Sequence, residues 1–196
     1  MKRFDLETLL EIAIFAGFAM VIDLFPSFKP NPSISISFAM VPIFIIAFRR
    51  GFLAASISGF LWGILQIATG DAWILTPTQA FIEYFIAFTC IGFAGLFSNL
   101  IKSSLKDKKR GATFVWIVIA TFIGSVARYF WHFVAGVIFF KNYAIEAGKT
   151  PVIFSLTMNG MTFLGASILC AIILVLLINK APQLITNTSE RRQQAA

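Results

Sequence analysis

Six apolar segments, each bounded by charged residues or by proline, follow one another along the chain. They cover residues 8–25, 34–48, 51–69, 76–100, 112–140 and 151–179. At a rise of about 1.5 Å per residue, segments of this kind are typical of helices that cross a bilayer. The second segment is short for a full crossing and contains Pro42, which predicts a helix that is kinked or buried against its neighbours. The pattern therefore predicts an all-α integral membrane protein, built as a six-transmembrane-helix bundle.

Composition supports this prediction and excludes a water-soluble globular domain. Of the 196 residues, 58% are hydrophobic and 13% are charged, and the mean hydropathy is +0.84. The two cysteines, Cys90 and Cys170, lie inside apolar segments without the spacing of metal ligands, so we expect packing residues and neither a disulfide, a metal site nor a cofactor. Asp5, Glu7 and Glu11 stand where a signal peptide is basic, which predicts a retained first helix.

Basic residues are distributed unevenly between the two sides that six crossings would create. With both termini in the cytoplasm, the outer segments hold only Lys29, Lys141 and Lys149. The inner segments hold Lys2, Arg3, Arg49, Arg50, Lys102, Lys106, Lys108, Lys109, Arg110, Lys180, Arg191 and Arg192. The positive-inside rule therefore predicts cytoplasmic N- and C-termini, and it accounts for the net charge without a nucleic-acid partner. The basic loop 102–110 is predicted to face anionic lipid, with partner binding as the alternative.

One transmembrane domain, residues 1–182, accounts for nearly the whole chain. The polar remainder, 183–196, predicts a disordered cytoplasmic tail. The only resemblance to a phosphate-binding loop is GKT at 148–150, which lacks the required first glycine and a preceding strand, and is followed at once by Pro151. The sequence therefore predicts no nucleotide site.

Polar side chains on three of the predicted helices lie at one depth in the membrane. At 1.5 Å per residue, Glu83 lies about 10 Å below the outer boundary, and His132 and Asn159 about 12 Å below it. Arg128 lies one turn deeper than His132, on the same helix face. Charged groups at such depth are costly, so we expect them inside the bundle, with Glu83 and Arg128 as an ion pair. Each residue alone could be structural, but their agreement in depth favours a binding site.

Aromatic side chains surround this layer. At similar depth or just above it lie Trp73, Tyr84, Tyr129, Trp131, Phe139, Phe140 and Phe154. Some are expected to face lipid, and others to line a cavity that suits a flat heteroaromatic ligand, including a cationic one. A membrane hydrolase using Ser125 and His132 is a competing hypothesis, although no oxyanion motif or third orienting group accompanies them.

Small residues recur at four-residue spacing on two helices. The first helix carries Ala13 and Gly17, and the third carries Gly51, Ala55, Gly59 and Gly63. Such spacing is typical of close helix packing. Packing within the chain is the default interpretation, and an external partner is the alternative.

Five stretches together carry a resemblance to a known family. They are FRRG at 48–51, GFLWGILQIATGDAWIL at 59–75, QAFIEY at 79–84, RYFWHFVAG at 128–136 and FSLTMNG at 154–160. In this order and spacing, over nearly the whole chain, they resemble the thiamine-specific substrate-binding (S) component of energy-coupling factor transporters. The resemblance implies a multi-pass protein of a prokaryotic cell membrane that captures thiamine from outside. It also implies docking on a transmembrane coupling protein with two ATPase subunits, while the S component itself is not an enzyme.

The resemblance also implies roles for individual residues. Glu83 would hold the aminopyrimidine and pair with Arg128, His132 would contact the ligand between its rings, and Asn159 would bond the pyrimidine edge. Further ligand contacts are implied for Trp73, Tyr84, Gly136, Phe140 and Phe154. Ala13 and Gly17 correspond to a helix-one motif that contacts the coupling protein.

The sequence also departs from the family pattern. Phe154 replaces a tyrosine of some members, Phe140 a frequent tryptophan, and Arg128 a lysine. The loop FPSFKPNPS, 25–33, lacks a tryptophan found in some members near Ser33, although its three prolines predict a semi-rigid lid. A different vitamin, a pyrimidine precursor of thiamine, or a stand-alone facilitator therefore remain as alternatives.

Overall fold

The chain folds into a helical bundle with one short hairpin. The computed structural model describes residues 4–25, 28–31 and 34–186. In this part of the chain the helices are α1 Leu6–Asp23, α2 Val41–Arg50, α3 Phe52–Ala68, α4 Pro77–Lys106, α5 Arg110–Phe139, α6 Lys141–Glu146 and α7 Pro151–Lys180. Strands β1, Phe28–Asn31, and β2, Ile34–Ile36, pair antiparallel. A final 3₁₀ turn covers Pro182–Leu184.

Three helices begin at side chains that cap them. Asp5 accepts a hydrogen bond from the Thr8 N–H at 3.1 Å at the start of α1. Thr76 and Thr150 do the same for α4 and α7, and each is followed by a proline in the first helical turn. Proline is tolerated there because the first N–H groups of a helix have no partner within it. Local sequence thus sets these starting points.

Three helices, α4, α5 and α7, are 30 residues long and apolar enough to cross a membrane by length and composition. The shorter helices α1, α2 and α3 have 18, 10 and 17 residues. Each of the six predicted segments overlaps one of these six helices, and α6 is an additional short helix between α5 and α7. The structure therefore has the all-helical architecture of an integral membrane protein.

Helix α2 differs from the predicted second segment at its N-terminal end. The prediction of a helix from residue 34 is wrong, because Ile34–Ile36 is a strand and the helix begins only at Val41. Pro42 lies in the first turn, so it starts the helix and does not kink it. The prediction of burial is confirmed, since every residue from Val41 to Arg49 is buried.

Helices α3 and α4 approach closely through glycines. A Cβ atom at Gly59 or Gly63 would overlap the backbone carbonyl of Phe88 or Tyr84, respectively. The small face of α3 therefore packs within the chain, as the default interpretation of its spacing predicts. The small face of α1, in contrast, is not packed against other helices of the described residues. Ala13 is exposed, and no atom lies within 4 Å of a Cβ built at Gly17.

A network of charged side chains holds one end of the bundle together. Arg49, which is buried, donates to Glu11 at 2.7 and 2.9 Å, and Arg50 donates to Glu11 at 2.6 Å and to Glu7 at 2.8 Å. Arg49 also donates to the carbonyl of Thr186. The network thus joins the start of α1, the end of α2 and the C-terminal turn.

The bundle continues beyond the boundary of 182 that the sequence predicts. Ile185 is fully buried, and Thr186 is held by Arg49. The remainder of the predicted disordered tail, 187–196, lies outside the described residues. The predicted proline-rich lid, 25–33, is described only in part, and there β1 pairs with β2.

Candidate ligand-binding site

A cavity of about 310 Å³ lies at the end of the bundle opposite the Arg49 network. The end of α1, the hairpin, the start of α2 and the end of α3 form one side, and α4, α5 and α7 form the other. Its lining consists of Asp23, Ser35, Ser37, Met40, Gln66, Asp71, Trp73, Glu83, Tyr84, Phe88, Arg128, Tyr129, His132, Phe140, Asn159 and Thr162. Its volume is in the range of sites for small organic ligands.

Seven of the nine residues predicted to bind a ligand line this cavity. They are Trp73, Glu83, Tyr84, Arg128, His132, Phe140 and Asn159. The other two, Gly136 and Phe154, do not line it. A Cβ atom at Gly136 would overlap the Ser155 hydroxyl, so this glycine lets α5 and α7 approach. Phe154 is buried within the bundle.

Glu83 and Tyr84 lie on a π-helical segment of α4, Phe81–Ile86. Such wide turns are rare and occur frequently at functional sites. The Tyr84 hydroxyl accepts a hydrogen bond from the Trp73 N–H at 2.7 Å. Tyr84 therefore fixes the loop before α4 against the segment that carries Glu83.

Gln79, which is fully buried, positions Glu83. Its side-chain nitrogen donates to Glu83 Oε2 and, at 3.0 Å, to the Trp73 carbonyl. Its side-chain oxygen accepts from the Leu75 N–H at 3.0 Å. The other carboxylate oxygen of Glu83, Oε1, lies 3.3 Å from His132 Nδ1. Both oxygens are thus held before a ligand arrives.

The predicted ion pair between Glu83 and Arg128 is wrong. Arg128 Nε instead donates to His132 Nε2 at 3.3 Å, and His132 stands between the two charges. The guanidinium carbon lies over the rings of Phe88, at 4.1 Å, and Trp62, at 4.8 Å from their centroids. Arg128 lies one turn deeper than His132 on α5, where cation–π contacts with these rings stabilise its charge.

Asn159 is held where α5 and α7 meet. Its amide nitrogen lies 3.1 Å from the Ser155 hydroxyl, 3.2 Å from the Ser155 carbonyl and 3.4 Å from the His132 carbonyl. These carbonyl acceptors require the amide nitrogen to point toward them. The carboxamide oxygen is therefore the group available to accept a hydrogen bond from a ligand.

Aromatic rings form the wall near the mouth. The Trp73 ring packs edge-to-face with Phe140, at 5.9 Å between centroids, and with Tyr143, at 5.5 Å. Trp73 is half-exposed. Rings in this arrangement offer a stacking surface to a planar ligand.

Two carboxylates of the cavity escaped the sequence interpretation, Asp23 and Asp71. Asp23 ends α1 and accepts hydrogen bonds from Gln66 and, at 3.5 Å, from Ser37. The available signal was an acidic residue at the predicted outer end of the first and of the third apolar segment. Together with Glu83 they place three carboxylates against one arginine in the cavity lining, so the cavity favours a cation.

The structure argues against the hydrolase hypothesis. Ser125 is fully buried and is not among the cavity-lining residues. Both ring nitrogens of His132 have other partners, Glu83 and Arg128. A nucleophile and its base need a mutual hydrogen bond, which this pair lacks.

Comparisons with known proteins agree with this architecture. Residues 9–186 match the family model described as thiamine transporter protein (Thia_YuaJ). Thiamine transporter ThiT of Bacillus subtilis is 39% identical over 186 residues, which are 92% of this chain and 95% of that protein. The same-named protein of Lacticaseibacillus paracasei is 38% identical over 187 residues, 92% of this chain and 90% of that protein.

A solved structure of ThiT from Listeria monocytogenes superposes with a TM-score of 0.89 at 44% identity, covering 93% of this chain and 98% of that one. These relatives are named as transporters and not as enzymes. With the family model and both relatives spanning nearly all of the bundle, the protein belongs to the thiamine transporter protein family.

Proposed function

We propose that this protein captures thiamine in the cavity between α1, α4, α5 and α7, as the substrate-binding subunit of an energy-coupling factor importer. The observation that carries this proposal is the combination of three carboxylates and an aromatic wall in one cavity. Thiamine joins an aminopyrimidine to a permanently cationic thiazolium. A planar cation of this kind gains from both carboxylates and π-faces.

Each half of the ligand has a matching set of side chains. Glu83 accepts from the exocyclic amino group of the pyrimidine, and the Asn159 carboxamide lies on the same side of the cavity to bond the pyrimidine edge. Trp73 and Phe140 stack on the rings. Asp23 and Asp71 supply the negative charge opposite the thiazolium. Gly136 and Phe154 contribute through helix packing, since they do not line the cavity.

Binding is tested by titrating purified, ligand-stripped protein with thiamine and following tryptophan fluorescence, because Trp73 lines the cavity. Saturable quenching is expected. Glu83→Gln is expected to weaken binding at least 100-fold, since a carboxamide loses the charge and presents an N–H₂ to one of two donors, Gln79 or His132. Glu146→Gln on α6 is the matched control, because Glu146 is exposed and is not among the cavity-lining residues.

Absence of quenching together with absence of binding by calorimetry contradicts the thiamine assignment. Tighter binding of the pyrimidine half than of thiamine favours a precursor, and binding of another vitamin favours a different ligand. Competition between these compounds therefore separates the alternatives.

The bundle is proposed to cross the cell membrane six times with both termini in the cytoplasm. The Arg49 network then lies at the cytoplasmic end and the cavity opens outside. The proposed docking surface for the coupling protein is the small face of α1, because Ala13 is exposed and the space beside Gly17 is open. ATP hydrolysis would belong to two ATPase subunits on that module.

Gly17→Leu fills this open face without touching the cavity. It is expected to keep thiamine affinity and to abolish thiamine uptake by cells that contain the module. Gly111→Leu is the control, since Gly111 also has open space around it but lies at the start of α5. Uptake by proteoliposomes that lack ATPase subunits would instead support a stand-alone facilitator.

A further inference from the structure

Arg128 is a partly buried cation whose guanidinium lies over aromatic rings and donates a hydrogen bond to a histidine. We infer that Arg128 is a positioning residue that fixes His132 in the Nδ1–H tautomer, so that His132 offers a ligand its ring face and no N–H. The inference rests on the proposed function only in taking this cavity as the ligand site.

The direction of the hydrogen bond from Arg128 decides which ring nitrogen of His132 carries the proton. Arginine is always protonated, and its Nε–H can only donate. Arg128 Nε lies 3.3 Å from His132 Nε2. His132 Nε2 must therefore accept, which leaves the single imidazole proton on Nδ1.

The opposite edge of the imidazole ring faces Glu83. His132 Nδ1 lies 3.3 Å from Glu83 Oε1, an acceptor that suits an Nδ1–H donor. Gln79 donates to the other oxygen of Glu83. The hydrogen bonds are thus donated in one direction, from Arg128 to His132 and from His132 to Glu83, and both require the Nδ1–H tautomer of His132.

This tautomer determines which groups His132 and Glu83 offer to a ligand. With both nitrogens of His132 engaged, its remaining surface is the ring face, which lies beside Tyr129, at 5.6 Å between centroids, and Phe88, at 6.2 Å. Glu83, held by two donors, presents only acceptor capacity to the cavity. The site therefore selects ligands that donate hydrogen bonds toward Glu83 and stack against His132.

His132 is the only histidine in the chain, which makes the tautomer directly measurable. Protein labelled with ¹⁵N-histidine, purified without ligand in detergent at neutral pH, should give one pair of ring-nitrogen signals. We expect a pyrrole-type shift at Nδ1 and a pyridine-type shift at Nε2. The reverse assignment, or two pyrrole-type shifts, would overturn the inference.

Arg128→Met removes the donor while retaining side-chain length. It is expected to release the tautomer, with pyrrole-type character appearing at Nε2, and to weaken thiamine binding about tenfold, as expected for loss of an orienting hydrogen bond. Arg110→Met, at the exposed start of α5, should leave the spectrum unchanged. An unchanged spectrum in Arg128→Met shows that arginine does not set the tautomer and contradicts the inference.

The wild-type spectrum decides by itself where the methionine variant does not fold. Because the tautomer is measured without ligand, the two proposals fail separately. An Nδ1–H tautomer in a protein that does not bind thiamine overturns the proposed function alone. An Nε2–H tautomer in a protein that binds thiamine overturns this inference alone.

Discussion

Gln79 orients Glu83 through a hydrogen bond, and replacing it tests whether thiamine affinity depends on a Glu83 carboxylate that is oriented before the ligand binds. Gln79→Met keeps the length of the side chain but removes its hydrogen bonds to Glu83, Trp73 and Leu75. A hydrogen bond to a charged group contributes about 1.5–3 kcal/mol, and neutral ones about 0.5–1.5 kcal/mol. Water can replace part of the two backbone contacts, because Trp73 and Leu75 are exposed.

We therefore expect a loss of about 2 kcal/mol in thiamine binding, which corresponds to an increase in Kd of about 30-fold. The loss arises because the ligand must orient a carboxylate that the wild-type protein already holds. Calorimetric titration of the two purified proteins measures it. Gln183→Met, at the opposite end of the bundle, is the control and should bind as the wild type does.

A double variant makes the test sharper. If Gln79 acts through Glu83, Gln79→Met combined with Glu83→Gln should bind hardly more weakly than Glu83→Gln alone. Losses that add in full, or a Kd for Gln79→Met within twofold of the wild type, would refute the reasoning.

Two further variants probe charge and packing. Asp23→Asn is expected to weaken thiamine binding about tenfold and to weaken binding of the neutral pyrimidine half less. The reason is that the variant removes negative charge, while Gln66 and Ser37 can still hydrogen-bond to the new amide. Asp107→Asn, at an exposed position, is the control, and equal losses for both ligands in titrations would contradict the charge argument. Gly63→Ala should destabilise the protein by about 1–3 kcal/mol, measured as a lower melting temperature, since its methyl group would overlap the Tyr84 carbonyl. Gly160→Ala, in the interior of α7 with open space around it, should melt no lower than the wild type, because alanine is the better helix former.

The location of the polar layer could be predicted from sequence because helical rise is regular. Counting residues from the predicted outer boundary placed Glu83, His132 and Asn159 at one depth, and the structure brings them to one cavity. The partner of Arg128 could not be predicted in this way. Depth does not say how far a long side chain reaches, and here aromatic rings offered an alternative to a carboxylate.

Local pattern explains the error at the second segment. The stretch SISIS, 33–37, alternates polar and apolar residues with the period of a strand, but it runs directly into the apolar run that contains α2, so hydropathy alone does not separate the two. In the structure β2 packs on α7, with Ile36 filling the space beside Gly165. Asp23 and Asp71 were missed for a related reason. Residues at segment ends serve equally as boundaries and as site residues, and only the fold distinguishes the two.

The complete burial of α2 has a consequence for biogenesis. Its 10 residues extend about 15 Å, half the thickness of the hydrocarbon core, and Val41 to Arg49 have no exposed face to meet lipid. The membrane alone cannot hold such a helix in place after synthesis. Helix α3 follows α2 directly through Gly51, at φ +86°, and packs against it. Because Met40, just before α2, lines the cavity, the cavity is complete only once the neighbouring helices have assembled around α2.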